Sequence, residues 1–228
     1  MNKEEIIIIS LGGSLIIPDD IDVSFLKEFK ELIVSQIKIG KKFVIATGGG
    51  KICRKYQEVA KTISNPSSDD LDWIGIASLR LNAQLLRVIF REYTYPKIIK
   101  NPLELIDFDM PIVVGSANEP GHSTDWDAVV LAKNVGAKKV INLSNTDYVY
   151  DFDPKINKDA KKIEKISWTE YRKLIPKEWN PGLNSPFDPI ASEIAEKEGM
   201  EVIIMNGKPI DNLAKYLNGE EFKGTIIK

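Results

Sequence analysis

The chain has 228 residues, enough for one sizeable core, and its 43% hydrophobic and 28% charged residues match an ordinary globular protein, which excludes a disordered or fibrous chain. Thirty-one Lys and Arg against 33 Asp and Glu leave a formal charge of -2, so no global field attracts nucleic acid or an anionic membrane, and an anionic ligand has to be held locally. Cys53 is the single cysteine, which rules out an intrachain disulfide and points to a reducing cytoplasm with no zinc cluster.

The apolar run 6–11 follows Glu4 and Glu5 and is too short to cross a bilayer, so it reads as a buried strand. A helix is expected over 23–38, where Val23, Leu26, Phe29, Ile33 and Ile37 form one stripe and Lys27, Lys30 and Glu31 face outward. Further strands are predicted at 43–47, 97–100, 111–115, 139–143, 202–206 and 225–227, and helices at 52–63, 70–92, 126–136, 188–198 and 209–218. Nearly continuous apolar strands alternating with helices predict an α/β fold, a three-layer αβα sandwich around a mainly parallel sheet. The expected unit is one domain over 1–228. The segment from Asp151 to Pro189, with Pro154, Pro176, Pro181 and Pro186, reads as a structured excursion. Trp73, Trp168 and Trp179 are expected to pack, Cys53 to be a buried structural thiol, and 155–165 to be a solvated basic face.

Strand one runs into Gly12, Gly13 and Ser14, and strand two into Gly48, Gly49 and Gly50. At the carboxyl ends of parallel strands, glycine lets backbone amides approach phosphate oxygens, and a following helix adds the positive end of its dipole. A tight turn alone explains either loop; two such loops within 50 residues favour phosphate binding. Neither is a Walker A loop, since Ile52 follows Lys51 and position 45 is not glycine, and G-x-G-x-x-G is absent. Arg54 lies one turn beyond Gly50 and either reaches the same anion or is a solvated surface arginine. Asp72 near the start of the next helix is either a first-turn cap or an acceptor for a ribose hydroxyl.

Five blocks then stand in order: Gly12, Gly13 and Ser14; Gly48 to Lys51 with Arg54 and Tyr56; Asp72 to Gly75 with Arg80 and Asn82; Pro120 to Asp125; and Asn145 to Asp147 with Tyr150, Asp153 and Pro154. With Asp188 to Ala191 opening a late helix, this pattern resembles the archaeal-type uridylate (UMP) kinases of the amino acid kinase superfamily over nearly the whole chain. The resemblance implies ATP-dependent phosphorylation of UMP to UDP, a step of pyrimidine biosynthesis, with Mg2+ accompanying ATP.

The resemblance also implies a division of labour, with acceptor binding in residues 1–135 and ATP binding in 136–228. Gly12 and Gly13, with Arg54, Asp125 and Asp188, would form the catalytic set. Gly49, Arg54 and Asp72 would hold UMP, together with Asn118, Glu119, Pro120, Gly121, His122, Ser123 and Thr124, His122 giving pocket shape only. Gly12, Gly13, Ser14, Gly50, Arg54, Ser144, Asn145, Tyr150 and Asp153 would hold ATP. Asp125 and Asp188 would organise magnesium, water or donor groups, although no metal-ligand motif stands in the sequence. Related enzymes form hexamers built from dimers, so a homo-oligomer is expected.

Two positions depart from the family pattern. Ser10 stands where many relatives carry a lysine, leaving Lys51, Arg80 and Lys100 as candidate replacement cations. Tyr148 stands where glycine usually follows the aspartate of a turn, so the turn has to change shape or the ring has to join the adenine side. The alternatives are another superfamily kinase, for isopentenyl phosphate or acetylglutamate, and a nucleotide-binding regulator without catalysis. The absence of a histidine beside the second glycine loop counts against the isopentenyl phosphate reading.

Overall fold

A computed structural model describes residues 5–104, 109–154, 156–178 and 185–228; Trp179, Pro181 and Lys155 lie outside them. The strands are β1 (Ile6–Leu11), β2 (Lys42–Thr47), β3 (Ile112–Gly115), β4 (Lys139–Ser144), β5 (Val149–Tyr150), β6 (Lys162–Ile163), β7 (Lys165–Ile166), β8 (Glu201–Asn206) and β9 (Thr225–Ile227). The helices are α1 (Gly13–Ile16), α2 (Val23–Lys38), α3 (Gly50–Ile63), α4 (Ser68–Ile89), α5 (Thr124–Val135), α6 (Trp168–Leu174), α7 (Pro189–Lys197) and α8 (Asp211–Leu217).

Seven strands form one sheet in the order β3-β2-β1-β4-β8-β9-β7, and β5 pairs with β6 in a separate hairpin. All neighbours in the large sheet run parallel except β8 and β9. β1 is central, with Ile9 opposite Ile45 on one side and Ile141 on the other. The chain builds outward from β1 to β3 and then returns to lay β4 on the other side of β1. The crevice between the carboxyl ends of β1 and β4 is therefore a topological switch point, where ligands of open parallel sheets bind.

Alternation along the strands makes two cores. Ile7, Ile9, Leu11, Phe43, Ile45, Ile141 and Ile203 face α2, α4 and α8, through Phe25, Phe29, Ile33, Ala83, Leu86 and Leu213. Ile8, Val44, Val113, Val140, Val202 and Ile204 face α5, α6 and α7, through Val129, Leu131, Tyr171 and Ala191. Ile8, Ile9 and Leu11 are fully buried, each contributing roughly 2 kcal/mol by transfer from water. The expected three-layer sandwich is what the chain forms.

Helix starts follow local chemistry. Asp22 accepts from Phe25 N at the start of α2, and Ser67 and Asp70 make a reciprocal capping box at the start of α4. Asp72 lies beyond that first turn, so the capping reading for it is replaced. The expected strand at 97–100 reduces to an isolated bridge between Ile99 and Gly115, because Pro96 and Pro102 bracket a segment that adds only an edge contact. Most other expected elements stand with ends shifted by one to three residues. The excursion after Asp151 is structured where described: α6, β6 and β7 lie in it, too short to announce themselves by periodicity. Within it Trp168 is buried and donates Nε1–H to Met200 O at 2.9 Å, as expected of a packing residue, whereas Trp73 is 50% exposed and does not pack.

Candidate active site

The two glycine turns meet backbone to backbone. A Cβ on Gly13 would lie 2.1 Å from Gly50 N and 2.5 Å from Gly48 O, and one on Gly50 would lie 2.6 Å from Gly13 O. Gly50 also has φ +74°, so α3 starts from a left-handed residue that glycine adopts without strain. Gly12 N donates to Leu143 O at 2.8 Å and Gly48 N to Leu11 O at 2.9 Å, which ties both turns to the sheet. Asn82 of α4, buried, donates Nδ2–H to Gly48 O at 2.8 Å.

A cavity of about 710 Å³ opens at the switch point between the ends of β1 and β4. Ser10, Gly12 and Gly48 form its floor with Arg54, Thr124 and Asp125, and the run Asn142 to Pro154 forms a long wall. Cavities of about 240 and 510 Å³ lie at the amino ends of the strands, around Glu5 and Lys139, away from both glycine turns. Among the described residues Arg54 is the one cation lining the large cavity, against Asp125, Asp147, Asp151 and Asp153.

Asp125 is the most constrained group there. Its Oδ1 accepts from Ser10 Oγ at 3.0 Å and from Asn142 Nδ2 at 2.6 Å, and its Oδ2 accepts from Asp188 N at 3.2 Å. Burial and the nearby Asp188 charge push its carboxyl up to about 7, against the opposing pull of those hydrogen bonds. Asp188 is the N-cap of α7: its Oδ1 accepts from Ala191 N at 2.6 Å, while its buried Oδ2 has no hydrogen-bond partner among the described residues. Burial raises its carboxyl as well. Asp127, one turn into α5, is buried, and desolvation followed by the Asp125 charge holds it well above the usual range. Sequence reading gave Asp127 only an N-terminal helix role; the signal for more was the Asp-x-Asp spacing.

The loop expected to shape the acceptor pocket is drawn toward α4. Asp72 Oδ2 accepts from Gly121 N at 2.9 Å, and Arg80 Nε and Nη2 donate to Ala117 O at 3.2 and 3.0 Å. His122 stacks on Trp126 with ring centroids 3.7 Å apart, and Ser123 caps α5 by accepting from Trp126 N. Residues 118–123 are not part of the large cavity's wall, whereas Thr124 and Asp125 are. Gly49 packs close to Cys53 and Ser78. Cys53 is half-buried, and desolvation raises its thiol.

On the opposite wall Ser144, Asn145, Tyr150 and Asp153 line the cavity together with Tyr148, while Ser14 and Gly50 do not. No non-glycine residue has positive φ, so the turn at Tyr148 has changed shape and the ring is turned to the cavity wall. Tyr150 meets it edge-on at 6.4 Å, and Lys162 Nζ lies 5.0 Å from its centroid. The stretch 155–165 is thus partly committed to the wall through Lys162. Of the cations considered in place of a strand-one lysine, Lys51 pairs with Asp19 and Arg80 with loop carbonyls, and neither they nor Lys100 line the cavity.

A model of the amino acid kinase family matches residues 5–206, spanning both glycine turns, Asp125 and Asp188. The chain belongs to the amino acid kinase family. Within that family it is 33% identical over 224 residues to the uridylate kinase of Methanobrevibacter smithii, covering 97% of this chain and 98% of that protein. It is 34% identical over 226 residues to the uridylate kinase of Methanocorpusculum labreanum, covering 97% and 94%. The crystal structure of uridylate kinase from Archaeoglobus fulgidus superposes with a TM-score of 0.83 at 30% identity, over 97% of this chain and 99% of that one. The UMP kinase of Ureaplasma parvum, 19% identical with a TM-score of 0.78, shares the fold. Among the described residues no helix is long and apolar enough to cross a membrane.

Proposed function

We propose that this amino acid kinase family member transfers the γ-phosphoryl group of ATP to UMP, giving ADP and UDP for pyrimidine nucleotide synthesis. The observation that carries the reading is the backbone-to-backbone contact of the two glycine turns at the switch point, open to a cavity that also holds Arg54 and Asp125. The full-length similarity to uridylate kinases supports UMP as the acceptor.

The chemistry is an in-line displacement. A phosphate oxygen of UMP forms a bond to the γ-phosphorus as the bond to the β–γ bridging oxygen breaks, and ADP leaves with that electron pair. Amides of Gly12 and Gly13 face the phosphoryl group in flight, and Gly49 with Arg54 holds the UMP phosphate. Charge spreading over the equatorial oxygens is met by fixed amide dipoles and by the guanidinium. Asp72 and residues 118–124 hold the uridine, so acceptor binding falls within residues 1–135. Ser14 and Gly50 lie toward the ATP phosphates, and Ser144, Asn145, Tyr150 and Asp153 take its nucleoside, which places the donor in residues 136–228.

No group of three or more His, Cys, Asp or Glu among the described residues could cage a metal. Oxygen donors from Asp125 and the unpartnered Asp188 Oδ2 nonetheless suit Mg2+ carried in by nucleotide phosphates. Bound there, Mg2+ would supply charge neutralisation of the phosphates. Asp125 and Asp188 then act by position: Ser10, Asn142 and the Asp188 amide fix the carboxylate that faces the transferred group.

A homo-oligomer, hexameric as in related enzymes, is part of the proposal. Tyr56, Val59 and Ile63 form an exposed apolar stripe along α3, at 62%, 57% and 81% exposure, the kind of surface a second copy covers. With one thiol and no need of disulfides, the enzyme is proposed to work in the cytoplasm.

The test is a coupled assay with ATP and Mg2+ across UMP, CMP, AMP and GMP. Preferred turnover of UMP is expected; equal turnover of all four removes the substrate assignment. Because Arg54 is the lone cation on the wall, a nucleotide-binding regulator is the second reading. Nucleotide-induced thermal stabilisation without product would select it.

A further inference from the structure

We propose that Arg80 is a positioning residue for the acceptor: it straps the loop 117–121 to α4 and thereby sets how tightly and how selectively the acceptor nucleotide is held. The inference rests on the UMP kinase reading and names a second determinant of the same acceptor site.

α4 grips both segments that would enclose the acceptor. On the side of the second glycine turn, Thr47 Oγ1 donates to Leu79 O at 2.9 Å, and Asn82 Nδ2 donates to Gly48 O at 2.8 Å. Between those two positions, Arg80 reaches the other way. Its Nε and Nη2 converge on Ala117 O at 3.2 and 3.0 Å, and Nη2 also approaches Asn118 O at 3.4 Å. Two turns earlier, Asp72 takes Gly121 N at 2.9 Å. Among the described residues, the hydrogen bonds that hold the backbone of 117–121 come from these two side chains.

Beneath the strap, Ala117 is buried in a small cluster with Ile76 and Leu79. Gly121, at φ +91° with open space around it, is the bend that lets the chain turn back toward Ser123 and the start of α5. The loop has no apolar anchor beyond Ala117, so its shape depends on the guanidinium fork. A planar fork with two donors on one carbonyl fixes direction as well as distance, which a lysine ammonium does not. Arg80 makes no ion pair among the described residues, so its charge also adds to the positive potential beside the acceptor.

Asp72 has two tasks in this geometry. A ribose hydroxyl that binds Asp72 has to share the carboxylate with Gly121 N, so losing Arg80 loosens the partner with which the ribose shares it. The effect belongs to acceptor affinity and not to the phosphoryl step.

Initial rates of wild type, Arg80→Lys and Arg80→Ala with UMP, CMP and ATP each varied, together with amide exchange over 117–121, test the proposal. Arg80→Ala is expected to raise KM for UMP by about tenfold and to narrow the UMP to CMP preference, with kcat and the KM for ATP within about threefold. Arg80→Lys falls between, and exchange at 117–121 accelerates in Arg80→Ala. An unchanged KM for UMP in both variants overturns the proposal, as does a loss of kcat with both KM values intact. Should Arg80→Ala fail to fold, Arg80→Lys carries the same KM comparison. If wild type does not turn over UMP, the function proposed above fails separately, and unaltered exchange at 117–121 in the variants overturns the strap itself.

Discussion

Ser10 Oγ donates to Asp125 Oδ1 across 3.0 Å, joining the end of β1 to the first turn of α5 at the floor of the cavity. The strand-one position that carries lysine in many relatives therefore holds the carboxylate with a hydroxyl and brings no charge of its own. The cavity is left with Arg54 as its lone lining cation among the described residues.

Replacement of Arg54 by Ala is accordingly expected to lower kcat/KM by roughly 100-fold or more, the scale of removing one preorganised donor to a developing anion. Arg54 is exposed on α3, so its melting temperature should stay near that of wild type. A coupled assay paired with a thermal melt checks both halves; wild-type turnover would take Arg54 out of the site.

The glycine contact makes a sharper stability prediction. Gly50→Ala adds a Cβ 2.6 Å from Gly13 O at a residue with φ +74°, combining overlap with left-handed strain. A loss of about 3 kcal/mol is expected. Gly40→Ala, at φ +94° with nothing within 4 Å, carries strain alone and should cost about 1 kcal/mol. Denaturant melts of the pair separate the two contributions, and equal losses would show that the turns are not in contact.

Asp127 supplies the pH prediction. Its carboxyl binds a proton more tightly folded than unfolded, so folding is penalised progressively as pH rises from the ordinary value of 3.8 through its raised one. Asp127→Asn removes that penalty. Without nucleotide or metal, the variant should melt higher than wild type at pH 8, on the order of 2–4 °C, with the gain shrinking toward pH 4. A gain that grows as pH falls would reverse the assignment.

Tyr148 is expected to act on the donor side alone. Tyr148→Ala removes a ring of the cavity wall that Lys162 and Tyr150 hold in place. Loss of one base-stacking surface should raise KM for ATP about tenfold and leave that for UMP unchanged. Steady-state kinetics with each substrate varied decide it; a shift in the UMP value instead would move Tyr148 to the acceptor side.

The layers and the phosphate-facing turns were legible in the residues because they depend on local pattern. Apolar runs such as 6–11 and 43–47 can be buried only as strands covered on both faces, and Gly12, Gly13 and Gly48 to Gly50 announce close backbone approach wherever they fall. The short pieces β5, β6, β7 and α6 carry too few residues for a period, and 97–100 looked apolar enough for a strand until its flanking prolines confined it to a bridge. Asp72 and Arg80 were marked in the sequence as members of a motif, but their hold on Gly121 and Ala117 was not.

Tertiary structure alone decided which groups meet. Ser10 and Asp125 stand 115 residues apart, and Asp188 reaches Asp125 from 63 residues further on. Nothing in local propensity encodes those pairings. They arise because the chain leaves β1 in one direction and returns to β4 in the other, so that strand ends, helix starts and their side chains converge on the crevice that this reversal opens.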